Sequence, residues 1–273
     1  MLSVIASIFK YNSGFDKIRY LFKGTIWAIR KRRGDKFVTK LWNNALVQVY
    51  PSTSYSSIFY RKYSEPTDMI FLRNNASLSD TLIDVGANVG LFSMTCCNDF
   101  KKIVLFEPSP ETFKALQDTL VLNVDCLAEF ESHNIGVSDK KGSLSFIAEP
   151  NLSPTSRVAK DYEKGIEVPV DTLDSVLNDR FESVVLKVDV EGHEENVFAG
   201  AEKLFSKKIV KLLMFERLGR TNLENVLEFM LKHDYTVFRI LDDGSISTNS
   251  ELVAEPLINL FTCPSEVFPT LKS

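Results

Sequence analysis

No stretch of this 273-residue chain approaches the roughly 18 consecutive apolar residues that a membrane-spanning helix needs. Cysteine and histidine are scarce, at four and three residues. Cys96 and Cys97 are adjacent and no CxxC pair occurs, so neither a zinc-site spacing nor a disulfide framework is expected, and the reading is a reducing, cytoplasmic compartment. With only 12 Gly and 10 Pro the chain is neither collagenous nor low in complexity, and 44% hydrophobic against 25% charged residues excludes disorder. Met1 to Phe9 is apolar but lacks a basic region before it and a small-residue cleavage site after it, and is read as mature sequence. What remains is one large α/β domain, or a domain plus an appendage.

Charge is unevenly spread. Residues 1–40 hold ten Lys/Arg against two Asp, which makes that segment +8 and the remainder −12. The acidic body argues against a nucleic-acid partner; the basic end suits phosphates or an anionic membrane, or is simply solvated. Phe15, Ile18, Phe22, Ile26 and Ile29 recur at helical spacing, with Lys17, Lys23 and Arg30 to Arg33 on or after the other face. That stripe either lies on a membrane surface, giving residues 1–40 a peripheral association, or packs on the body of the protein. Trp42, Tyr50, Tyr55, Tyr60 and Tyr63 make the next segment aromatic, for stacking on a sugar or for packing a helical cap.

From Leu82 the chain alternates β-rich apolar runs with helical stretches, which implies parallel strands joined by crossover helices. The strands are LIDVGA (82–87), KIVLFE (102–107), FESHNIGVS (130–138), VVLKVDV (184–190) and VKLLMFE (210–216), then an antiparallel pair in YTVFRIL and LINLFT. Helices are expected from Val89 to Asn98, from Pro110 to Asn123, in DTLDSVL with Asp171 as N-cap, from Glu194 to Phe205, and from Asn222 to His233. Residues 140–170 interrupt the alternation with the runs SLSFI and VPV, read as a hairpin or flap beside the carboxyl edge of the sheet. Ser153, Thr155, Ser156 and Arg157 within it offer donors to a polar acceptor.

Ligands of an open parallel sheet bind beyond the carboxyl ends of its strands, and four such ends carry acids: Asp84, Glu107, Asp189 with Glu191, and Glu216. Gly86 and Gly90 flank the first strand-to-helix turn, and Glu107, 21 residues after Gly86, is placed to accept hydrogen bonds from both hydroxyls of a ribose. A dinucleotide turn would need glycine at 86, 88 and 91, where this chain has Gly86, Asn88 and Leu91. An acid at Asp84 suits a cationic amino-acid tail, which favours S-adenosylmethionine as cofactor; an ordinary turn with Asp84 as helix cap is the other reading.

DVGANVG (84–90), FEPSP (106–110), Asn123, GVSD (136–139) followed by Gly142, VDTLDSVL (170–177), LKVDVEGHE (186–194) and FE (215–216) stand in the order found in the FkbM-type class I methyltransferases, which the chain resembles over about residues 65–217. The resemblance implies a Rossmann-like class I methyltransferase fold, a seven-stranded, mostly parallel sheet with helices on both faces, over residues 65–273. Residues 1–64 would be a basic, aromatic-rich helical extension. It implies methyl transfer from S-adenosylmethionine, usually to a hydroxyl of a sugar or small metabolite, with Asp84, Gly86, Ala87, Asn88 and Gly90 on the methionine side, Glu107 and Pro108 at the ribose, and Asn134, Ile135, Gly136 and Val137 at the adenine. Asp189 would face the reacting centre, between cofactor and acceptor. A hydroxyl nucleophile needs a base, and Asp189, Glu191, His193 and Glu216 are the catalytic candidates. Asp189 with Glu216 could hold a divalent ion, although no metal is expected. A nicotinamide-dependent oxidoreductase and a non-catalytic cofactor-binding protein remain alternatives, and neither the acceptor nor the oligomeric state is legible.

Overall fold

The computed structural model describes residues 16–50, 54–59, 66–148, 156–160, 163–219, 221–255 and 258–272. The apolar start of the chain, Phe15, Tyr60, Tyr63, Ser153 and Thr155 lie outside them. In chain order the elements are α1 (Asp16–Arg33), β1 (Phe37–Lys40), β2 (Leu46–Val49), α2 (Thr67–Asn74), β3 (Thr81–Val85), α3 (Leu91–Cys96), β4 (Lys102–Phe106), α4 (Pro110–Val121), β5 (Glu129–His133), β6 (Gly136–Val137) and β7 (Gly142–Ile147). There follow β8 (Arg157–Val158), β9 (Ile166–Asp171), α5 (Leu173–Leu177), β10 (Val184–Val188), α6 (Glu194–Ala199), α7 (Glu202–Ser206), β11 (Val210–Arg217), α8 (Leu223–Lys232), β12 (Tyr235–Ile240), β13 (Ile246–Ser247), α9 (Ser250–Val253) and β14 (Ile258–Pro264).

The main sheet runs β13-β12-β14-β11-β10-β3-β4-β5. Its five strands from β11 to β5 are parallel, and β14 inserts antiparallel between β11 and β12. Every residue of β3 and β10 is buried, as expected of central parallel strands covered on both faces. The period of two along the strands divides the core: Leu82, Ile103, Leu105 and Val185 face one layer, Ile83, Val104, Val184 and Leu186 the other. The first layer is closed by α2, α3 and α4, the second by α5 to α8.

Several boundaries depart from the sequence reading for local reasons. FESHNIGVS splits at Asn134, and its second half leaves the main sheet as β6 to pair in parallel with β9. The flap is a four-stranded sheet in the order β6-β9-β7-β8, built on the antiparallel β7–β9 pair. Asp171 ends β9, and Thr172 caps α5 by accepting from the Ser175 N–H. The helix expected from Glu194 to Phe205 breaks into α6 and α7 around Gly200.

The N-terminal extension is not wholly helical, because β1 and β2 form an antiparallel hairpin. The hairpin shares the core of the main sheet: Leu41, Ala45 and Val47 are buried in the same cluster as Leu82 and Leu105. Asn123 ties it down, accepting from the Leu46 N–H and donating to the Leu46 carbonyl, each at 2.7 Å. Tyr50 donates to Asp118 and packs on Val89 and Ala115, so its role is packing. Cys97, for which the spacing leads to no expected disulfide, is bonded to Cys126, while Cys96 and Cys263 are buried and free. The pairing follows from the approach of the α3 C-terminus to the turn after α4, where the Ala128 N–H bonds the Cys97 carbonyl, an adjacency invisible in spacing. Among the described residues no helix is long and apolar enough to cross a membrane.

Candidate functional site

The parallel strands end at a cavity of about 380 Å³. Its floor is the turn after β3, where the N–H groups of Gly86 and Ala87 both bond the Phe106 carbonyl at the end of β4. Gly86 has φ +77°, and a Cβ there would collide with the Asp189 carbonyl oxygen, so the close approach of the β3 and β10 ends requires glycine. Asn88 is also left-handed, φ 50°, and its N–H donates to Glu107 Oε2 at 3.0 Å.

Glu107 is 95% shielded from solvent yet lines the cavity, and its second oxygen accepts from the Ser109 N–H at 2.9 Å. Burial pushes its carboxyl up to about 7, against the pull of those two N–H groups and of Lys187. Each oxygen holds one backbone hydrogen bond and keeps a lone pair for a further donor.

Behind the floor lies an ion pair. Asp84 is wholly buried; Ser93 Oγ donates to its Oδ2 at 2.6 Å, and Lys187 Nζ stands 2.9 Å from Oδ1 as an ion pair rather than an aligned hydrogen bond. Lys187, from the middle of β10, also donates to the Gly86 carbonyl at 2.9 Å. Burial pulls its pKa down, but Asp84, Asp189 and Glu107 outweigh it and hold the ammonium above the ordinary lysine value.

Three carboxylates, Asp189, Glu191 and Glu216, stand at the ends of β10 and β11 with ligand atoms within 4.8 Å of one another. Burial first, then the Asp189 charge and a hydrogen bond with it, raise the Glu216 carboxyl to about 7. Near neutrality the Glu216 carboxyl is therefore poised between its protonated and ionised forms. His193 lines the same cavity. Its Nε2 lies 3.0 Å from Ser138 Oγ, which donates to Asp139 Oδ1 at 3.0 Å. Ser138 has one hydroxyl proton and an ionised carboxylate can only accept, so Ser138 must accept from His193 Nε2–H. That leaves Nδ1 unprotonated, and burial, only partly offset by Asp139, keeps the imidazole neutral.

The walls come from the flap, through Leu144 and Phe146 of β7 and Val168 and Val170 of β9, and from Met69 of α2 and Asn259 of β14.

Of the expected cofactor residues, Gly86, Ala87, Asn88, Glu107, Pro108, Ile135, Gly136, Val137 and Asp189 line this cavity, as do the catalytic candidates Glu191, His193 and Glu216. Three do not. Asp84 is sealed behind Lys187 and cannot meet a cationic tail; Gly90, φ +85°, shapes the start of α3. Asn134 braces the Glu107–Pro108 loop through two carbonyl bonds instead of bordering the cavity. Arg157 forms a bidentate pair with Glu163, both contacts at 2.7 Å, and among the described residues of that polar stretch Ser156 lines the cavity. His133 stacks on Phe106 and bonds Glu131, a structural role. Glu194 accepts from the Gly192 N–H and the Thr221 hydroxyl, which fixes the loop that carries Glu191. Lys187 is not among the residues expected at the site; its signal in the sequence is a lysine inside an otherwise apolar central strand, because lysine is rarely buried unless paired.

A sheet of this order, with one antiparallel strand inserted beside β11 and a cavity at its carboxyl edge, defines an α/β methyltransferase fold. The family profile described as the Methyltransferase FkbM domain matches residues 84–237. The chain belongs to the FkbM family of methyltransferases. Among its relatives, the methyltransferase sdnD of Sordaria araneosa is 28% identical over 172 residues, covering 50% of this chain and 66% of that protein. The hexuronic acid methyltransferase AglP of Haloferax volcanii is 31% identical over 137 residues, 47% of this chain and 53% of that one. The chain thus spans between half and two thirds of these curated relatives. A solved methyltransferase FkbM from Methylobacillus flagellatus KT superposes with a TM-score of 0.47 at 13% identity, covering 96% of this chain and 58% of that chain.

Proposed function

We propose that the chain transfers the methyl group of S-adenosylmethionine to a hydroxyl of a sugar or another small metabolite. The observation that carries the reading is Glu107: a buried carboxylate at the end of β4, splayed by two backbone N–H groups and open to the cavity it shares with Asp189 and Glu216. The residues fit such a cofactor. Glu107 offers lone pairs to ribose hydroxyls, Pro108, Ile135 and Val137 offer an apolar seat for adenine, and Gly86 presents backbone without a side chain. Asp84 contributes only through Lys187, which steadies the Gly86 carbonyl.

The bound cofactor supplies an already activated methyl group on a sulfonium. The chain's own task is to orient the acceptor, exclude water and take a proton. Asp189 and Glu216 sit where a proton leaving an acceptor hydroxyl can be received, and His193 Nδ1 is the second basic site. The hexuronic acid in the name of AglP supports a sugar acceptor.

Isothermal titration is expected to show binding of S-adenosylmethionine or its demethylated product and none of NAD. Glu107→Ala should weaken that binding by about 1–3 kcal/mol, because the ribose hydroxyls lose a buried partner. Tight binding of NAD alone would refute the assignment, and unchanged affinity in the variant would move the ribose elsewhere. Turnover in a screen of sugar and lipid-linked glycan acceptors, read as the mass gain of one methyl for one hydrogen, separates an enzyme from a non-catalytic binder.

A further inference from the structure

Helix α1 has two apolar faces, and the structure uses only one. At about 100° per residue, Ile18, Phe22 and Ile29 fall within an arc of about 40°. All three are exposed, at 68%, 71% and 48%. The opposite side of the helix does the packing: Trp27 is buried with Phe37 and Val49, flanked by Tyr20, Leu21 and Ala28. Of the stripe read from the sequence, Ile18, Phe22 and Ile29 therefore do not dock on the body of the protein, while Ile26 is half-buried.

The charges around the stripe are of one sign. Asp16–Arg33 contains seven Lys/Arg and a single acid. Arg32 and Arg33 project on either side of the stripe in the last turn, at about −40° and +60° from Ile18, while Arg19 flanks it about 100° away. Arg30 lies 4.9 Å from the Phe37 ring and Lys31 4.9 Å from the Trp27 ring. Among the described residues no carboxylate neutralises Arg30, Lys31, Arg32 or Arg33.

We propose that the exposed Ile18–Phe22–Ile29 stripe and its arginine flanks form a docking surface for an anionic phospholipid bilayer. The three apolar side chains would enter the headgroup boundary, and Arg32 and Arg33 would remain at the level of the phosphates, as basic amphipathic helices do at interfaces. Charge complementarity selects this occupant. A second copy of the chain would set two such basic rims against each other, which is repulsive.

Cosedimentation of the full chain with vesicles of phosphatidylcholine alone, and of phosphatidylcholine mixed with phosphatidylglycerol, tests the proposal. The protein is expected to pellet with the anionic vesicles at low salt and to be released at molar salt. Phe22→Gln with Ile29→Gln should abolish pelleting while leaving the thermal melt and S-adenosylmethionine binding unchanged, because neither side chain is in the core. Arg32→Gln and Arg33→Gln should each weaken binding about fivefold. No pelleting, or equal pelleting with neutral vesicles, would overturn the proposal. So would a dimer in sedimentation equilibrium without lipid that the double glutamine variant dissociates, which would assign the stripe to a second copy.

Discussion

Replacing Lys187 with Met is expected to destabilise the protein by about 3–5 kcal/mol, because it strands the wholly buried Asp84 without its counter-charge. The loss should appear as a lowered urea midpoint at pH 7 with an unchanged slope, since compactness is not altered. A second substitution that removes the charge, Asp84→Leu, should recover most of the loss, because a buried ion pair and an apolar pair of similar volume differ little in stability. Recovery would be incomplete, as Ser93 Oγ loses the acceptor it now reaches at 2.6 Å. A single variant as stable as the parent would show that Asp84 is folded as the neutral acid or finds water, and Lys187 would then not be the brace of the turn. Cofactor affinity should fall in the single variant and stay low in the double one, since the Gly86 carbonyl loses its ammonium donor in both.

Turnover is expected to drop by about 100-fold or more in Glu216→Gln, with cofactor binding retained, because the amide cannot accept the acceptor's proton. In the parent enzyme turnover should rise with pH through about 7 as the Glu216 carboxyl, raised by burial and by Asp189, gives up its proton. Asp189→Asn removes the neighbouring negative charge, so any remaining activity should titrate at lower pH. Should the limb survive in Glu216→Gln and vanish in His193→Ala, the base is the His193 imidazole oriented by Ser138 and Asp139. Turnover should withstand exhaustive chelation, because a proton held on the raised Glu216 carboxyl relieves the crowding of like charge without a cation; loss on chelation that added magnesium restores would reassign Asp189, Glu191 and Glu216 as ligands.

The same shifts act on stability. Glu107 and Glu216 both rise from an ordinary 4.5 to about 7 on folding, so the native state binds more protons than the unfolded chain between those values. Their contribution is present below 4.5 and is lost as pH climbs towards 7. The melting temperature of the cofactor-free protein should therefore decline over that interval, and Glu107→Gln should flatten the decline.

Much of this was written in the sequence. The alternation from Leu82 onward fixed the order of strands and helices, since central strands covered on both faces must read as unbroken apolar runs and crossover helices must separate them. The carboxyl edge was likewise legible, because a strand-to-helix turn with glycine and acids at four strand ends puts polar chemistry where such sheets bind ligands. Gly86, Glu107 and the acids at the ends of β10 and β11 could be named from position alone, and Asn88 from the family resemblance.

Tertiary structure decided what those positions do. Asp84 and Asp189 are both strand-end acids in the sequence, yet Asp84 is sealed against Lys187 and Asp189 opens on the cavity; the difference is set by the β3–β10 register, which lays Lys187 beside Asp84. The Cys97–Cys126 bond, the hairpin of β1 and β2 held by Asn123, and the closeness of Asp189 to Glu216 that helps raise the Glu216 carboxyl all join residues far apart in the chain. In α1 the sequence displayed an apolar stripe but not its direction, because Trp27 and the Ile18–Phe22–Ile29 row lie on opposite sides of one helix and either could have been the buried one. Local pattern determines where elements begin and which residues share a face; which face meets the core, and which charge meets which, is settled only when the elements pack.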